Sequence, residues 1–267
     1  MIKNVTLITG ACGGLGKSFV KLCAQEKRNL LLTGTSQKKL DALKEELRDL
    51  FGNIEVVTFV LDLGKLEDRE NLVKFIKEKD IKINRLINNA GVIIEGDMMR
   101  FEDAEIIKAI EVNCIGTLDL TKKLLNIRDE NVKFEVLTVA SVAANYPIPH
   151  MAVYSATKAF LVSMFTSLAI EFKHTNVVFT NVCPGGMATN DAMKESIKSM
   201  GLGGKLSTVS TDKVAKVAIK ALNKGKTNVT PGFFNKVLVL LSKPFSKKFM
   251  AKSSGKIYAK SQSKRGF

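Results

Sequence analysis

Tyr154 and Lys158 stand four apart in Tyr154-Ser155-Ala156-Thr157-Lys158, a spacing that stacks a phenol and an ammonium on one face of a helix. A free tyrosine titrates near about 10 and is a poor acid or base at neutral pH. A fixed cation beside it favours phenolate, so the pair is expected to lower the phenol toward the working range and make it a proton donor. Ser141, thirteen residues upstream, closes the apolar run Val136-Leu137-Thr138-Val139-Ala140, which reads as a buried strand. Its hydroxyl can then meet the phenol across a strand-to-helix connection. Surface helices often carry such pairs, so the meaning of this one depends on its company.

That company lies at the other end of the chain. Val5-Thr6-Leu7-Ile8 leads into Thr9-Gly10-Ala11-Cys12-Gly13-Gly14-Leu15-Gly16 and then a helical stretch. The order is strand, glycine turn, helix. Gly10 allows the tight turn, Gly14 lets a pyrophosphate approach the backbone, and Gly16 lets the helix pack closely on the strand, with the helix N-terminus facing the anion. An ordinary glycine loop is the alternative, because the spacing departs from the commoner Gly-x-Gly-x-x-Gly fingerprint.

Together these residues resemble the short-chain dehydrogenase/reductase family, and further motifs fall in that family's order. Asn88-Asn89-Ala90-Gly91 follows Arg85-Leu86-Ile87, Asn113-Cys114-Ile115-Gly116 sits within a helix, and Pro184-Gly185 follows the strand-like Val177 to Val182. The resemblance covers residues 3 to 230. It implies catalytic roles for Asn113, Ser141, Tyr154 and Lys158. It also implies a nicotinamide cofactor held by Thr9, Gly10, Gly14, Leu15, Gly16, Thr35, Ser36, Asp62, Asn89, Ala90, Gly91, Pro184, Gly185 and Thr189, with Tyr154 and Lys158 in contact with it.

In the reductive direction such a constellation lets a nicotinamide give hydride to a carbonyl carbon while Tyr154 protonates its oxygen and Ser141 hydrogen-bonds that oxygen as charge develops. The resemblance adds that Lys158 holds the nicotinamide ribose, Asn113 organises a water-linked proton path, Asp62 contacts adenine and Thr189 contacts the carboxamide. Read from the residues alone, Asn113 is a helix-capping or core amide, Ser141 a strand-end hydroxyl and Asp62 a cap for the following helix.

The choice of cofactor is expected at the end of the second strand, Leu30-Leu31-Leu32-Thr33-Gly34-Thr35-Ser36. A carboxylate there would bond the ribose 2′-hydroxyl of NAD and repel the extra phosphate of NADP. Gly34 occupies that place. NADP-dependent members of the family usually follow with arginine, whereas this chain has Thr35 and offers Ser36, Lys38 and Lys39 to a phosphate. The reading is NADP(H) rather than NAD(H).

At 267 residues the chain can bury a substantial core, and α/β folds of this size are routinely one domain. Strand-like runs (Val5 to Thr9, Asn29 to Thr33, Ile54 to Val60, Arg85 to Asn88, Phe134 to Val139, Val177 to Val182, Thr227 to Thr230) alternate with amphipathic helical stretches. That is the pattern of a Rossmann-type, doubly wound parallel sheet. We expect a single nucleotide-binding domain, residues 1–230, followed by a basic amphipathic extension, residues 231–267. No run is expected to span a bilayer. The glycine turn begins at residue 9, so no signal segment is expected before it and the location is read as cytoplasmic. Four cysteines (Cys12, Cys23, Cys114, Cys183) and two histidines (His150, His174) show no metal-ligand spacing, so reduced thiols and no metal are expected.

The net charge of +15 is concentrated at one end. After Asp212 there is no acidic residue, and residues 213–267 hold thirteen lysines and one arginine, +14, leaving +1 for the rest. Base-stacking aromatics or a recognised nucleic-acid module would accompany a nucleic-acid reader. Here Phe233, Phe234, Phe245 and Phe249 instead accompany Val237 to Leu241 like an amphipathic face. Pro231 and Pro244 bracket a short apolar helix flanked by Lys236, Lys243, Lys247, Lys248 and Lys252. The candidate contacts are the protein's own body or a second subunit in a homodimer or homotetramer, then the surface of an anionic membrane, and last nucleic acid.

Substrate identity is expected to reside in residues 186 to 207, where Met187, Met193, Met200 and Leu202 suggest an adaptable apolar lid or a packed helix face. The sequence therefore reads as a reductase of an apolar ketone, an oxosteroid, fatty ketone or 3-oxoacyl chain. A 3-oxoacyl-carrier-protein reductase and a nucleotide-sensing regulator without catalysis are the alternatives.

Overall fold

Apolar, β-branched runs form seven strands: β1 (Ile2–Ile8), β2 (Asn29–Gly34), β3 (Val56–Val60), β4 (Ile81–Asn88), β5 (Phe134–Val139), β6 (Val177–Val182) and β7 (Asn228–Val229). In the computed structural model, which describes residues 1–189, 204 and 206–262, they pair in parallel in the order β3-β2-β1-β4-β5-β6-β7. Five of the six residues of β5 carry no charge, and all six are buried, as expected for a strand covered on both faces.

Helices cover each face through apolar stripes. On one side α1 (Gly14–Gln25) contributes Leu15, Phe19 and Cys23, and α2 (Gln37–Leu50) contributes Leu40, Leu43 and Leu47. Their spacings of three and four are the helical period. The helix α3 (Leu66–Glu78) packs on the opposite side. There α4 (Asp103–Ile110) continues through a π-helical stretch, Glu111–Gly116, into α5 (Thr117–Asn126). A methyl group on Gly116 would lie 2.2 Å from the Leu63 carbonyl oxygen, so only glycine fits that crossing. The helix α6 (Ala152–Glu171) completes this layer, and α7 (Thr211–Asn223) completes the first.

The expectation about bilayer-length runs needs correction. An 18-residue window within the 20 residues of α6 has a mean hydropathy of 1.4, and the helix suffices by length and composition. Within the protein that helix buries Ser155, Thr157, Lys158, Leu161 and Phe165, while Phe160 and Ile170 are exposed.

Beyond β7, α8 (Phe233–Ser242) and α9 (Lys247–Gln262) return to the body. Asn235 Nδ2 donates to the Ser207 carbonyl at 2.9 Å and the Pro231 carbonyl at 3.0 Å. Ser254 Oγ donates to the Pro147 carbonyl at 2.9 Å, and Gly255 faces the Pro149 ring. The basic segment thus lies on the loop between β5 and α6. The lid residues Met193, Met200 and Leu202 lie outside the described residues.

Candidate active site

The strand order reverses between β1 and β4, and in open α/β sheets ligands bind at the carboxyl ends of strands beside such a reversal. A cavity of about 760 Å³ lies there. Its wall runs from the Gly10–Gly16 turn and Gly34–Ser36, past Asn89–Gly91, to Ser141, Tyr154 and Lys158.

The glycine turn is built for close approach. Gly10 adopts φ +62°, and a Cβ there would come within 3.0 Å of Ala90 Cα. A Cβ on Gly16 would lie 2.3 Å from the Gly10 carbonyl oxygen, which fixes α1 against the turn. Gly13, Gly14 and Leu15 line the cavity where α1 begins, so unpaired backbone N–H groups of the first helical turn are available to an anion. Thr189 faces Gly14, its Cβ 3.2 Å from where a Cβ of Gly14 would stand. This arrangement fits a dinucleotide: a glycine cradle at a helix N-terminus, leading to a buried hydroxyl, a half-buried phenol and a buried ammonium.

The end of β5 presents Ser141, whose Oγ accepts from Ala143 N at 3.1 Å and also meets the Tyr154 phenol in a side-chain hydrogen bond. Lys158 is buried, and its Nζ lies 5.8 Å from the Tyr154 ring centroid while donating to the Val139 carbonyl at 2.9 Å. Three elements therefore converge on one end of the cavity. The electrostatics differ from the expectation drawn from the lysine. Burial pushes the Tyr154 phenol above its ordinary value, with the Ser141 hydrogen bond opposing. Burial also pushes Lys158 down to about 8. Desolvation disfavours both charged forms, and at the phenol it outweighs the opposing contribution of Ser141.

Other residues singled out in the sequence brace the cavity wall or stand behind it. Thr9 is buried, and its Oγ1 accepts from Asn89 N and Ala90 N, each at 3.0 Å. Asn89 Nδ2 donates to the Thr9 and Gly10 carbonyls at 2.9 and 3.0 Å. These bonds lock the two switch-point loops together. Asn113, in the π-helical stretch, accepts from Val92 N at 2.8 Å and donates to the Val92 carbonyl at 2.9 Å and Thr157 Oγ1 at 3.1 Å. Its amide ties the Gly91 loop to the helix that carries Tyr154 and Lys158. Asp62 Oδ1 accepts from Gly64 N at 3.1 Å, within a turn ahead of α3, and Asp62 does not line the cavity.

Near Gly34 the wall includes Thr35, Ser36 and Lys39, while Lys38 is absent from it. Ser36 caps α2 by accepting from Lys39 N. Pro184, Gly185, Met187 and Thr189 also line the cavity. A Cβ on Gly185 would lie 2.5 Å from Asn235 Nδ2 and 2.6 Å from the Ser207 carbonyl oxygen, so this glycine also admits the latch of α8.

Sequence reasoning missed several wall residues: Tyr146, Ile148 and Met151 from the loop before α6, and Phe234, Leu238 and Ser254 from the basic segment. The four-residue spacing of Phe234 and Leu238 was a usable signal. His150 does not line the cavity. Its carbonyl accepts from Gly96 N at 2.8 Å. The four cysteines are unpaired. Burial pushes the Cys12 and Cys114 thiols up and Cys183 up to about 12, which works against thiolate chemistry. Among the described residues no group of three or more His, Cys, Asp or Glu could hold a metal ion.

The family model for short chain dehydrogenases matches residues 4–200. A very-long-chain 3-oxoacyl-CoA reductase of Podospora anserina is 38% identical over 169 residues, 62% of this chain and 49% of that protein. The chain thus spans about half the length of this relative. A 3-oxoacyl-[acyl-carrier-protein] reductase of Thermotoga maritima is 28% identical over 186 residues, 70% of this chain and 75% of that protein. Among solved structures, a short-chain dehydrogenase from Sphingobium yanoikuyae in complex with NADPH superposes with a TM-score of 0.75 at 23% identity, covering 91% of this chain and 96% of that one. At that identity the likeness concerns the fold.

Proposed function

The chain belongs to the short-chain dehydrogenase family, and on that premise we propose that it is an NADP(H)-preferring ketoreductase of apolar ketones, with a 3-oxoacyl thioester as the best-fitting substrate. The observation that carries this reading is the convergence of Ser141, Tyr154 and Lys158 at one end of a cavity whose wall also includes Ile93, Ile148, Met151, Met187 and Leu238. The reductases of 3-oxoacyl chains among its relatives support the substrate class.

When bound, a nicotinamide supplies hydride for the carbonyl carbon. Gly10, Gly14, Leu15 and Gly16 would hold its pyrophosphate at the start of α1, and Asn89–Gly91 would pass beside it. Tyr154 keeps its proton at neutral pH because burial raises the phenol, and it gives that proton to the substrate oxygen. Ser141, whose Oγ lone pair is engaged by Ala143 N, turns its own proton toward the same oxygen as charge develops there. Lys158 fixes the helix face to the end of β5 through Val139 and offers its remaining protons to ribose hydroxyls. Asn113 acts as a positioning residue through Val92 and Thr157.

The preference for NADP(H) rests on the Gly34 corner. A side chain at Gly34 would meet nothing closer than Leu40 Cδ2 at 3.9 Å, and Thr35, Ser36 and Lys39 offer donors to a phosphate. Exposed Ile107, Ile110, Ile115, Leu118 and Phe160 on the α4 to α6 side support a homo-oligomer, which light scattering would test. Purified protein should consume NADPH with a 3-oxoacyl-CoA, followed by loss of cofactor absorbance. Turnover confined to an oxosteroid would move the substrate class, and no turnover with any apolar ketone would sink the reading.

A further inference from the structure

The helix α8 presents two opposite faces. Phe234, Asn235 and Leu238 turn inward and form part of the cavity wall. Phe233, Leu240 and Leu241 turn outward and are 83%, 64% and 57% exposed. Just beyond, Phe245 and Phe249 stack with ring centroids 4.8 Å apart, and both are exposed. So many large apolar side chains left in water within a short stretch of chain mark an interaction surface.

The surrounding charge selects the occupant. Lys236, Lys243, Lys247, Lys248, Lys252 and Lys256 are exposed and form no ion pair among the described residues. No carboxylate follows Asp212 in the sequence. A second copy meeting this face symmetrically would bring together two segments of +14 each, which repel. A polyphosphate backbone would satisfy the lysines and leave Leu240 and Leu241 in water. An anionic phospholipid surface meets both demands, with head groups for the ammonium ions and an acyl boundary for the rings and leucines. At ten residues α8 extends about 15 Å, half of a bilayer core, so it suits lying in the interface.

We propose that the outer face of α8 and the start of α9 form a docking surface for anionic phospholipid. Since the inner face of α8 walls the cavity, docking sets that cavity about one helix diameter, ~10 Å, from lipid.

The test is flotation of the full chain with vesicles of phosphatidylcholine alone and of phosphatidylcholine with phosphatidylserine. The readout is binding, so it is independent of any catalytic assignment. The protein should float with phosphatidylserine vesicles only and detach as salt rises. Lys247→Gln and Lys248→Gln should each weaken binding about fivefold. The chain contains no tryptophan, so Phe245→Trp supplies a single reporter, which should shift to the blue and be quenched by brominated lipid. Absence of flotation at low salt overturns the proposal. So does flotation with an unquenched Trp reporter, which is adsorption through lysines alone. Self-association that is lost in the Leu240→Ser, Leu241→Ser variant also overturns it, by assigning the face to a second copy. If that variant fails to fold, the quenching result decides.

Discussion

Lys158 Nζ lies 5.8 Å from the ring centroid of Tyr154 and spends one of its hydrogen bonds on the Val139 carbonyl, 2.9 Å away at the end of β5. The two side chains share a helix face, yet burial moves their titrations in directions that keep the phenol protonated and make the ammonium easier to deprotonate. Chemistry and cofactor binding should therefore respond to pH in separate windows. Cofactor affinity should weaken as pH rises through about 8, where free Lys158 loses its proton. Ketone reduction at saturating cofactor should hold across neutral pH and decline only above the ordinary tyrosine value of about 10. Cofactor affinity and kcat that fall together near neutrality would contradict this separation.

The same burial has a stability consequence. The native state binds fewer protons at Lys158 than the unfolded chain between pH 8 and 10.5, so its contribution to stability rises with pH through that window. The gap between 10.5 and about 8 corresponds to about 3 kcal/mol. Lys158→Met should remove this pH dependence and should not be less stable than the parent at pH 7. Equal slopes of Tm against pH for both proteins from 8 to 10 would show that Lys158 is not desolvated in this way.

Gly34→Asp tests the choice of cofactor. The corner has room for a Cβ at residue 34, and a carboxylate there would repel a 2′-phosphate carried beside Lys39 and bond a 2′-hydroxyl instead. NADPH affinity should drop at least tenfold while NADH affinity is kept or improved. A wild-type protein that already binds NADH more tightly would reverse the assignment.

Gly185→Ala addresses the latch between α8 and the end of β6. The added methyl would meet the Asn235 amide and the Ser207 carbonyl oxygen at 2.5 to 2.6 Å, and overpacking of that kind costs about 1–3 kcal/mol. Chemical denaturation should show that loss. A variant as stable as the parent would mean that α8 yields freely.

Much of this was legible in the chain. The glycine turn, the strand runs and the Tyr154, Lys158 and Ser141 spacing report local geometry, and each local signal agreed with the fold. β1 begins at Ile2 instead of Val5 and β3 at Val56 instead of Ile54, shifts set by pairing with neighbouring strands. What the sequence concealed depends on distant packing. The amides of Asn113 and Asn89 are spent on Val92, Thr157, Thr9 and Gly10, partners that only the folded chain brings near. The direction of the Tyr154 shift follows from how deeply the site is buried, which spacing does not reveal. Asn235 and Ser254 became part of the site through contacts across the β5–α6 loop and β6.

The central claim is that Tyr154 is the proton donor of a ketone reduction carried out in this cavity, and Tyr154→Phe tests it most directly because it removes the hydroxyl and keeps the ring. With NADPH and a 3-oxoacyl-CoA, kcat should fall by about two to four decades, while NADPH binding, measured by fluorescence titration, should stay within a few fold of the parent. Turnover by the variant close to that of the parent would contradict the account.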